Sequence, residues 1–507
     1  MTANSTTRAI RATWRTCSAT AFGLASFLIG AGCSGPRPVP GTGDRSVPCG
    51  TDRVCGMQLS GPDGVRLIES GSAPRFVVER QPATFRLDNR DASTPRRCTF
   101  ELRAEGLGPE NVFFMRGPFD RARSDRRQAG PGRVQVGLPV AAGSIGVVCI
   151  EPRVQAPANP YRWNHEGLVG TVEQGAYLGR RLQAVVIRSL GPATRVRLAN
   201  RSDQRRSFAL RLTNVSSRLS VPRVDGDGSE GTVIEPDGPL GLRVRGALDA
   251  GETMRLALVR RRLSAPHAVL VGGDMKSRLD VFLRLVEAAG RRAEPAYMVA
   301  VGDYSEMGLG DEVRAFMQAT ASFGFPVYHV KGNHEVHCQG DVHYARALGP
   351  ARYHFAAGEL LWVILDSNGW DPDGFRLGHG QLTWLERVLQ EHEEVPWKMI
   401  ALHAPPHPLH GPSGDPEYPA NLHPRDAARL KRIAAAHGVA YVLSGHAHLY
   451  ARKREKGVVY LTSGGGGARL GAYNRLPGFH INERKHLVLL HVGPEGVEEE
   501  VVGIDRP

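Results

Sequence analysis

The chain has 507 residues, too many for one compact domain, and its 41% hydrophobic and 23% charged content excludes wholesale disorder. The 64 basic residues against 51 acidic give a formal charge of +13, which admits nucleic acid or anionic lipid as a partner. Only seven of the 64 are Lys, however, and no dense basic run interleaves with aromatics. A coding bias towards Arg accounts for the charge more readily than a nucleic-acid surface does.

Residues 1–33 read as an export signal. Arg8, Arg11 and Arg15 precede an uncharged stretch, Thr16 to Pro36, whose apolar centre runs from Phe22 to Ile29. That centre is too short and too rich in Gly and Ser for a membrane-spanning helix. It ends in Leu28-Ile29-Gly30-Ala31-Gly32-Cys33, which resembles a bacterial lipoprotein lipobox with Cys33 as the lipid-bearing membrane anchor. Gly30 departs from that pattern, which prefers an aliphatic residue there, so plain secretion and an uncleaved anchor stay open beside a periplasmic or outer-membrane lipoprotein.

Residues 34–47, with Pro36, Pro38, Pro40 and interspersed Gly, have no apolar period to bury and read as a flexible linker. From 48 to 262 the chain is β-rich. Short alternating runs such as Thr84-Phe85-Arg86-Leu87, Cys98 to Leu102, Arg133 to Val136 and Phe208 to Leu212 are separated by turn residues at the spacing of a sandwich. The stretch 157–164 is a candidate boundary between two modules. Arg195, Arg197, Arg243 and Arg245 take the polar positions of their runs, as a solvated outer face or as a surface for anionic envelope polymer or lipid headgroup.

Cysteine usage agrees with export. Cys49, Cys55, Cys98 and Cys149 form an even set in the N-terminal half, with Cys49–Cys55 and Cys98–Cys149 the expected disulfides. Cys338 is left over and reads as a half-buried free thiol.

From 263 to 507 strands alternate with helices. Apolar runs at 268–272, 296–301, 327–330, 360–365, 399–402, 440–443 and 458–461 are strands, with helical spacing at 278–292, 311–323, 380–392 and 425–437. Closing strands follow at 486–491 and 498–502. Where these runs give way to Gly or Pro stand the polar blocks Gly273-Asp274-Met275-Lys276, Gly302-Asp303-Tyr304-Ser305-Glu306, Lys331-Gly332-Asn333-His334-Glu335, Leu402-His403-Ala404 and Gly445-His446-Ala447-His448. A parallel α/β sheet presents ligands in that place. Asp274, Asp303, Asn333, His403, His446 and His448 make an oxygen and nitrogen donor set without thiolate, suited to Mn, Fe or Zn. Six donors exceed what one tetrahedral ion needs, so two divalent metal ions sharing a carboxylate are expected.

These five blocks, in this order over residues 265 to 503, resemble the calcineurin-like metallophosphoesterase superfamily. The resemblance implies an α/β fold, a β-sandwich flanked by helices, for the C-terminal half. It also implies hydrolysis of phosphate mono- or diesters by a metal-bridging hydroxide, with Asp274, Asp303 and His448 on the first ion and Asp303, Asn333, His403 and His446 on the second. His334 would act off the metals as proton donor or transition-state brace.

Two departures stand out. Lys276 replaces the usual His of the first block, so the first ion loses a nitrogen donor unless Glu306, His337 or water replaces it, while Lys276 is free to contact a substrate phosphate or solvent. Glu306 stands where an Asp that orients the catalytic His is common, and is expected to do the same with a longer arm. The Pro405 to Pro424 segment, with His407, His410 and His423, reads as a lid beside the metals. Alternatives to a phosphoesterase are a catalytically weakened envelope binding or scaffold protein and an extracellular nuclease.

Overall fold

The computed structural model describes residues 53–504 apart from 56, 71–73, 90–93, 115–124, 141–144, 264, 372–373, 410–420 and 472–476. The expected signal, Cys33, the linker 34–47, Cys49 and the middle of the lid segment with His410 lie outside the described residues.

The β-rich half forms two sandwiches. In the first, one sheet has the order Arg53–Val54, Met57–Asp63, Ala83–Asp88, Ile145–Ile150, Val112–Phe114. The facing sheet has the order Val65–Glu69, Arg75–Val78, Arg96–Arg103, Arg133–Val140, Asp125–Gly130. Alternation sends every second residue inward. Phe76, Phe85 and Phe100 meet there with ring centroids 4.7 to 5.6 Å apart.

In the second sandwich, Arg162–His165, Leu168–Glu173, Arg195–Asn200, Thr253–Arg260 and Ser220–Asp225 form one sheet in that order. Gly175–Arg181, Ala184–Ser189, Arg206–Thr213, Gly241–Leu248 and Val233–Pro236 form the other. Arg195, Arg197, Arg243 and Arg245 are exposed on outer faces. Arg243 and Arg245 are engaged by Asp237 and Glu235 across the strands, which favours the solvated-face reading for that pair.

The C-terminal half is a third sandwich, larger and covered by helices. One sheet runs Val327–His329, Pro295–Ala300, His267–Gly272, His486–Gly493, Gly496–Gly503, with the first three strands parallel. The other runs Tyr353–Ala357, Leu360–Ile364, Trp397–Ala401, Val439–Ser444, Val458–Ser463, Tyr450–Glu455, His480–Asn482. Its parallel strands, Leu360–Ile364, Trp397–Ala401, Val439–Ser444 and Val458–Ser463, are buried on both faces almost throughout, as parallel strands under helices must be. Val269 and Val271 point between the sheets to Trp362, Met399 and Leu443. Leu270, between them in sequence, points outward to Phe282 and Leu285 of helix α1, Leu279–Gly290, and to Phe316 of α2, Gly310–Ala321.

A short helix α3, Gly340–Ala347, follows the Asn333-His334 block. On the far sheet, α4, His379–Glu391, and α5, Pro424–Ala436, bury Leu382, Leu385, Leu430 and Ile433 against Val363 and Ile400.

The two β-rich modules are docked on this third one. The strand Val327–His329 lies at a sheet edge, where unpaired backbone groups are a liability. Asn214 Oδ1 accepts from Val327 N at 2.9 Å and Arg188 Nη2 donates to Val327 O at 3.0 Å, so the second sandwich caps that edge. The connection after Ile150 is held on α3 by Gln339, which donates to Pro152 O and accepts from Val154 N, and by His343 against Glu151.

Both expected disulfides are replaced. Cys55 bonds Cys98 and Cys149 bonds Cys338. The reason is parity along a strand. Cys98 faces the first core, whereas Cys149 lies between the inward Val148 and Ile150 and so faces the other way, against Met307, Leu309 and Cys338. Cys338 is therefore a bridge to the first sandwich and not a free thiol.

The Cys149–Cys338 bridge spans 189 residues. Replacing both cysteines by Ser is expected to lower unfolding stability by about 3 kcal/mol, read by urea unfolding with and without reductant. Non-reducing peptide mapping of the parent chain should recover the 149–338 pair.

Candidate metal centre

Each polar block sits just past the carboxyl end of a buried strand. His267–Gly272 delivers Asp274, Pro295–Ala300 delivers Asp303, and Val327–His329 delivers Asn333 and His334. From the facing sheet Trp397–Ala401 delivers His403, and Val439–Ser444 delivers His446 and His448. Two sheets thus aim ligands at one point. The turns that do so are tight: Asp274, Asp303 and His446 have φ of 61°, 55° and 69°. Left-handed backbone at non-glycine residues costs of order 1–3 kcal/mol each and collects at functional sites.

The glycines of the blocks are required by crowding. A Cβ on Gly332 would stand 2.2 Å from Asp303 Oδ1, and one on Gly302, at φ 98°, would stand 2.5 Å from His403 Nδ1. Neither position has room for a side chain.

Asp303 is the centre of the arrangement. It is fully buried, and its Oδ1 lies 3.2 Å from His403 Nε2 while accepting from His334 N at 3.1 Å. Its Oδ2 faces Lys276 Nζ at 3.6 Å and His334 Nε2 at 3.7 Å, with no hydrogen-bond partner. Burial alone would raise this carboxyl; His403, His334 and Lys276 hold it well below the usual range. Asn333 Oδ1 is 3.0 Å from His403 Nε2 and 2.9 Å from His446 Nδ1. Asp274, also fully buried, accepts from His446 N at 2.8 Å through Oδ2. Its Oδ1, 3.4 Å from His448 Nε2, has no hydrogen-bond partner.

The imidazoles are oriented from behind. His403 Nδ1 donates to Val301 O at 2.8 Å and His448 Nδ1 to Arg469 O at 2.8 Å, which leaves Nε2 of each turned to the centre as a ligand lone pair. Burial pulls the His403 pKa down, but Asp303 and Asp274 push it up to about 9. His446 is driven well below its ordinary value, by burial first and then by His403.

Two groups of ligand atoms, Asp303, His403 and His446, and Asp274, Asp303 and His448, each lie within 4.8 Å of one another. Asp303 is common to both, and Asn333 Oδ1 adds a donor to the first. All six expected ligands are brought together. The orphaned oxygens of Asp274 and Asp303 are what a divalent cation would satisfy, so the residues fit a pair of ions. The Asp274 subsite has three donors and a cation, Lys276, beside it.

The geometry around His334 differs from expectation. Its Nδ1 donates to the main-chain carbonyl of Glu306 at 2.5 Å, and its Nε2 accepts from Lys276 Nζ at 2.7 Å. The Glu306 carboxylate neither orients His334 nor joins a ligand group; it turns out to Arg86 of the first sandwich at 3.2 Å. Chain direction explains this, since the carbonyl of Glu306 points into the site and its side chain out of it. Burial, and then Lys276, depress the His334 pKa well below its ordinary value. His337 is fully buried beside His334, ring centroids 4.6 Å apart, but belongs to neither ligand group. Of the lid residues, His407 is buried against Tyr460 and Phe479, and His423 caps α5 by accepting from Arg425 N.

Sequence reasoning gave no role to Glu335. Its buried carboxylate accepts from the backbone N of Gly332, Asp303 and Ser305 at 2.8 to 3.0 Å and from Ser305 Oγ at 2.7 Å. It pins the Asp303 turn to the Asn333 turn. Burial and the nearby Asp303 raise it to about 7, against the pull of Ser305. The available signal was an acid following Gly-Asn-His.

The calcineurin-like phosphoesterase family model matches residues 267–450. That segment is a phosphoesterase enzyme domain, of a family that works on phosphoesters with divalent metal. Among solved structures, a purple acid phosphatase from yellow lupin (Lupinus luteus) seeds aligns over 84% of this chain and 92% of its own at 13% identity, TM-score 0.39. GAP50, the anchor in the inner membrane complex of Plasmodium, aligns over 48% of this chain and 90% of its own at 10% identity, TM-score 0.38. No curated protein sequence matches the chain.

Replacing Glu335 by Ala strands four donors in a buried turn and is expected to cost about 3 kcal/mol of stability. Chemical denaturation reads that loss. Calorimetric titration with Mn or Zn should show weaker metal binding in the same variant, because the Asp303 and Asn333 turns lose their common tie.

Proposed function

We propose that this chain hydrolyses phosphate mono- or diesters at a dinuclear centre built on Asp303. The observation that carries the reading is the pair of ligand groups sharing that one buried carboxylate. Asp303, Asn333, His403 and His446 would hold one ion and Asp274, Asp303 and His448 the other, with Mn, Fe or Zn suited to the donors. When bound, such ions activate water and neutralise phosphoryl oxygens.

The chain's own groups do the rest. Val301 O and Arg469 O fix the tautomers of His403 and His448. Glu306 O fixes His334 with a hydrogen on Nδ1, which leaves Nε2 to take up a proton from solvent and pass it to the leaving oxygen. Lys276, donating to that Nε2 in this structure, supplies a positive charge to the same face and would brace a phosphoryl oxygen. No covalent enzyme intermediate is needed.

One observation favours a weakened centre as the second reading. Lys276 Nζ lies 3.6 Å from Asp303 Oδ2, where it repels an ion in the Asp274 subsite. As to location, we read the chain as exported and lipid-anchored through Cys33, or secreted; two disulfides support an oxidising compartment.

Metal-loaded parent protein should hydrolyse p-nitrophenyl phosphate or bis-p-nitrophenyl phosphate. His334→Ala should lower kcat by about 100-fold or more, and Asp303→Asn should abolish turnover and metal retention together. Absence of turnover by the parent with Mn, Fe and Zn would leave the scaffold reading standing.

Lys276→His tests the departure directly. Elemental analysis after gel filtration should find about two ions per chain in both parent and variant if the centre is dinuclear, whereas about one in the parent and about two in the variant, whose imidazole completes a tetrahedral set at the Asp274 subsite, would establish the weakened centre.

A further inference from the structure

A cavity of about 600 Å³ lies between the second sandwich, helices α2 and α3, and the connection from the first sandwich, and none of its lining residues belongs to the metal centre. Its size is that of a pocket for a small organic molecule. Arg181, Arg188, Arg211, Arg314 and Arg346 line it, against one carboxylate, Asp237. That carboxylate is already engaged by Arg211 and Arg243. The cavity is therefore strongly positive.

A coding bias towards Arg could place exposed arginines anywhere, but it does not explain Arg188. This side chain is buried, at 4% exposure, and among the described residues no carboxylate pairs with it. Its Nη2 donates to Val327 O at 3.0 Å and to His329 Nδ1 at 3.3 Å, while its Nε is buried without a partner. Desolvation lowers its pKa to about 10. A buried cation facing a cavity without a counter-ion is costly, and an anion in the cavity would remove that cost. Beside the polar Thr213, Asn214, Thr320 and His343, the wall has an apolar part with Leu178, Val313 and Met317 on opposing elements.

We propose that this interdomain cavity is a second binding site, taking an organic anion whose phosphate, sulfonate or carboxylate group meets Arg188 and the neighbouring guanidinium groups while its apolar part lies on Leu178, Val313 and Met317. The site would join the second sandwich to the strand Val327–His329, which leads into the Asn333-His334 block. It stands independently of the phosphoesterase reading, because its contacts and its test avoid the metal centre.

The test is calorimetric titration of the full chain, stripped of metal by chelator, with benzenesulfonate, octanoate and inorganic phosphate. Benzenesulfonate or octanoate should bind saturably at one site per chain, and more tightly than phosphate, which has no apolar part. Arg314→Glu, an exposed change that leaves the core intact, should weaken binding by about tenfold or more, the loss expected from reversing one charge at an anion site. Arg188→Met should abolish it, and His334→Ala should leave it unchanged. Failure of the parent to bind any of the three probes would overturn the proposal. So would binding that Arg314→Glu leaves intact, or phosphate bound as tightly as benzenesulfonate.

Discussion

Two carboxylates, Asp274 and Asp303, are buried at zero exposure within one site, and each keeps an oxygen without a hydrogen-bond partner. Placing such charges in a protein interior costs several kcal/mol apiece unless cations answer them. The surrounding architecture makes sense as the means of meeting that cost. Strand ends from two sheets converge so that imidazoles stand opposite the acids, main-chain carbonyls hold two of those imidazoles from behind, and left-handed turns are tolerated at three ligand positions. Glu335 adds a third buried acid whose task is internal, gathering amide hydrogens from two turns so that their ligands keep their spacing.

Much of this was legible in the sequence because local rules govern it. Asp274, Asp303, Asn333, His403, His446 and His448 each follow a buried apolar run and a break in it, and a parallel sheet leaves such residues at one end. The glycines beside them are explained by contacts of 2.2 to 2.5 Å that a side chain would make.

What the sequence hid depends on contacts between distant segments. Whether Cys149 faces inward or outward is a matter of one residue of register, and its partner lies 189 positions away. Glu306 was read by side chain, whereas its carbonyl is what meets His334. Helix α3 was missed because it buries only Gly340 and Tyr344, too few residues to leave a period.

The β-rich half is more than an appendage. Asn214 and Arg188 complete the hydrogen bonding of the edge strand Val327–His329, and Arg86 takes up the Glu306 carboxylate. Residues from both sandwiches thus touch the two segments that carry Asp303 and His334. Such contacts hold the accessory modules against the segments from which the candidate ligands project.

The bond between Cys149 and Cys338 turns residues 149 to 338 into a closed covalent ring. That ring contains the whole second sandwich together with Asp274, Asp303, Asn333 and His334. A protease that nicks the chain once anywhere inside it therefore frees no fragment, because the two pieces stay joined through the disulfide. A single backbone break within the ring thus leaves the molecule in one covalent piece.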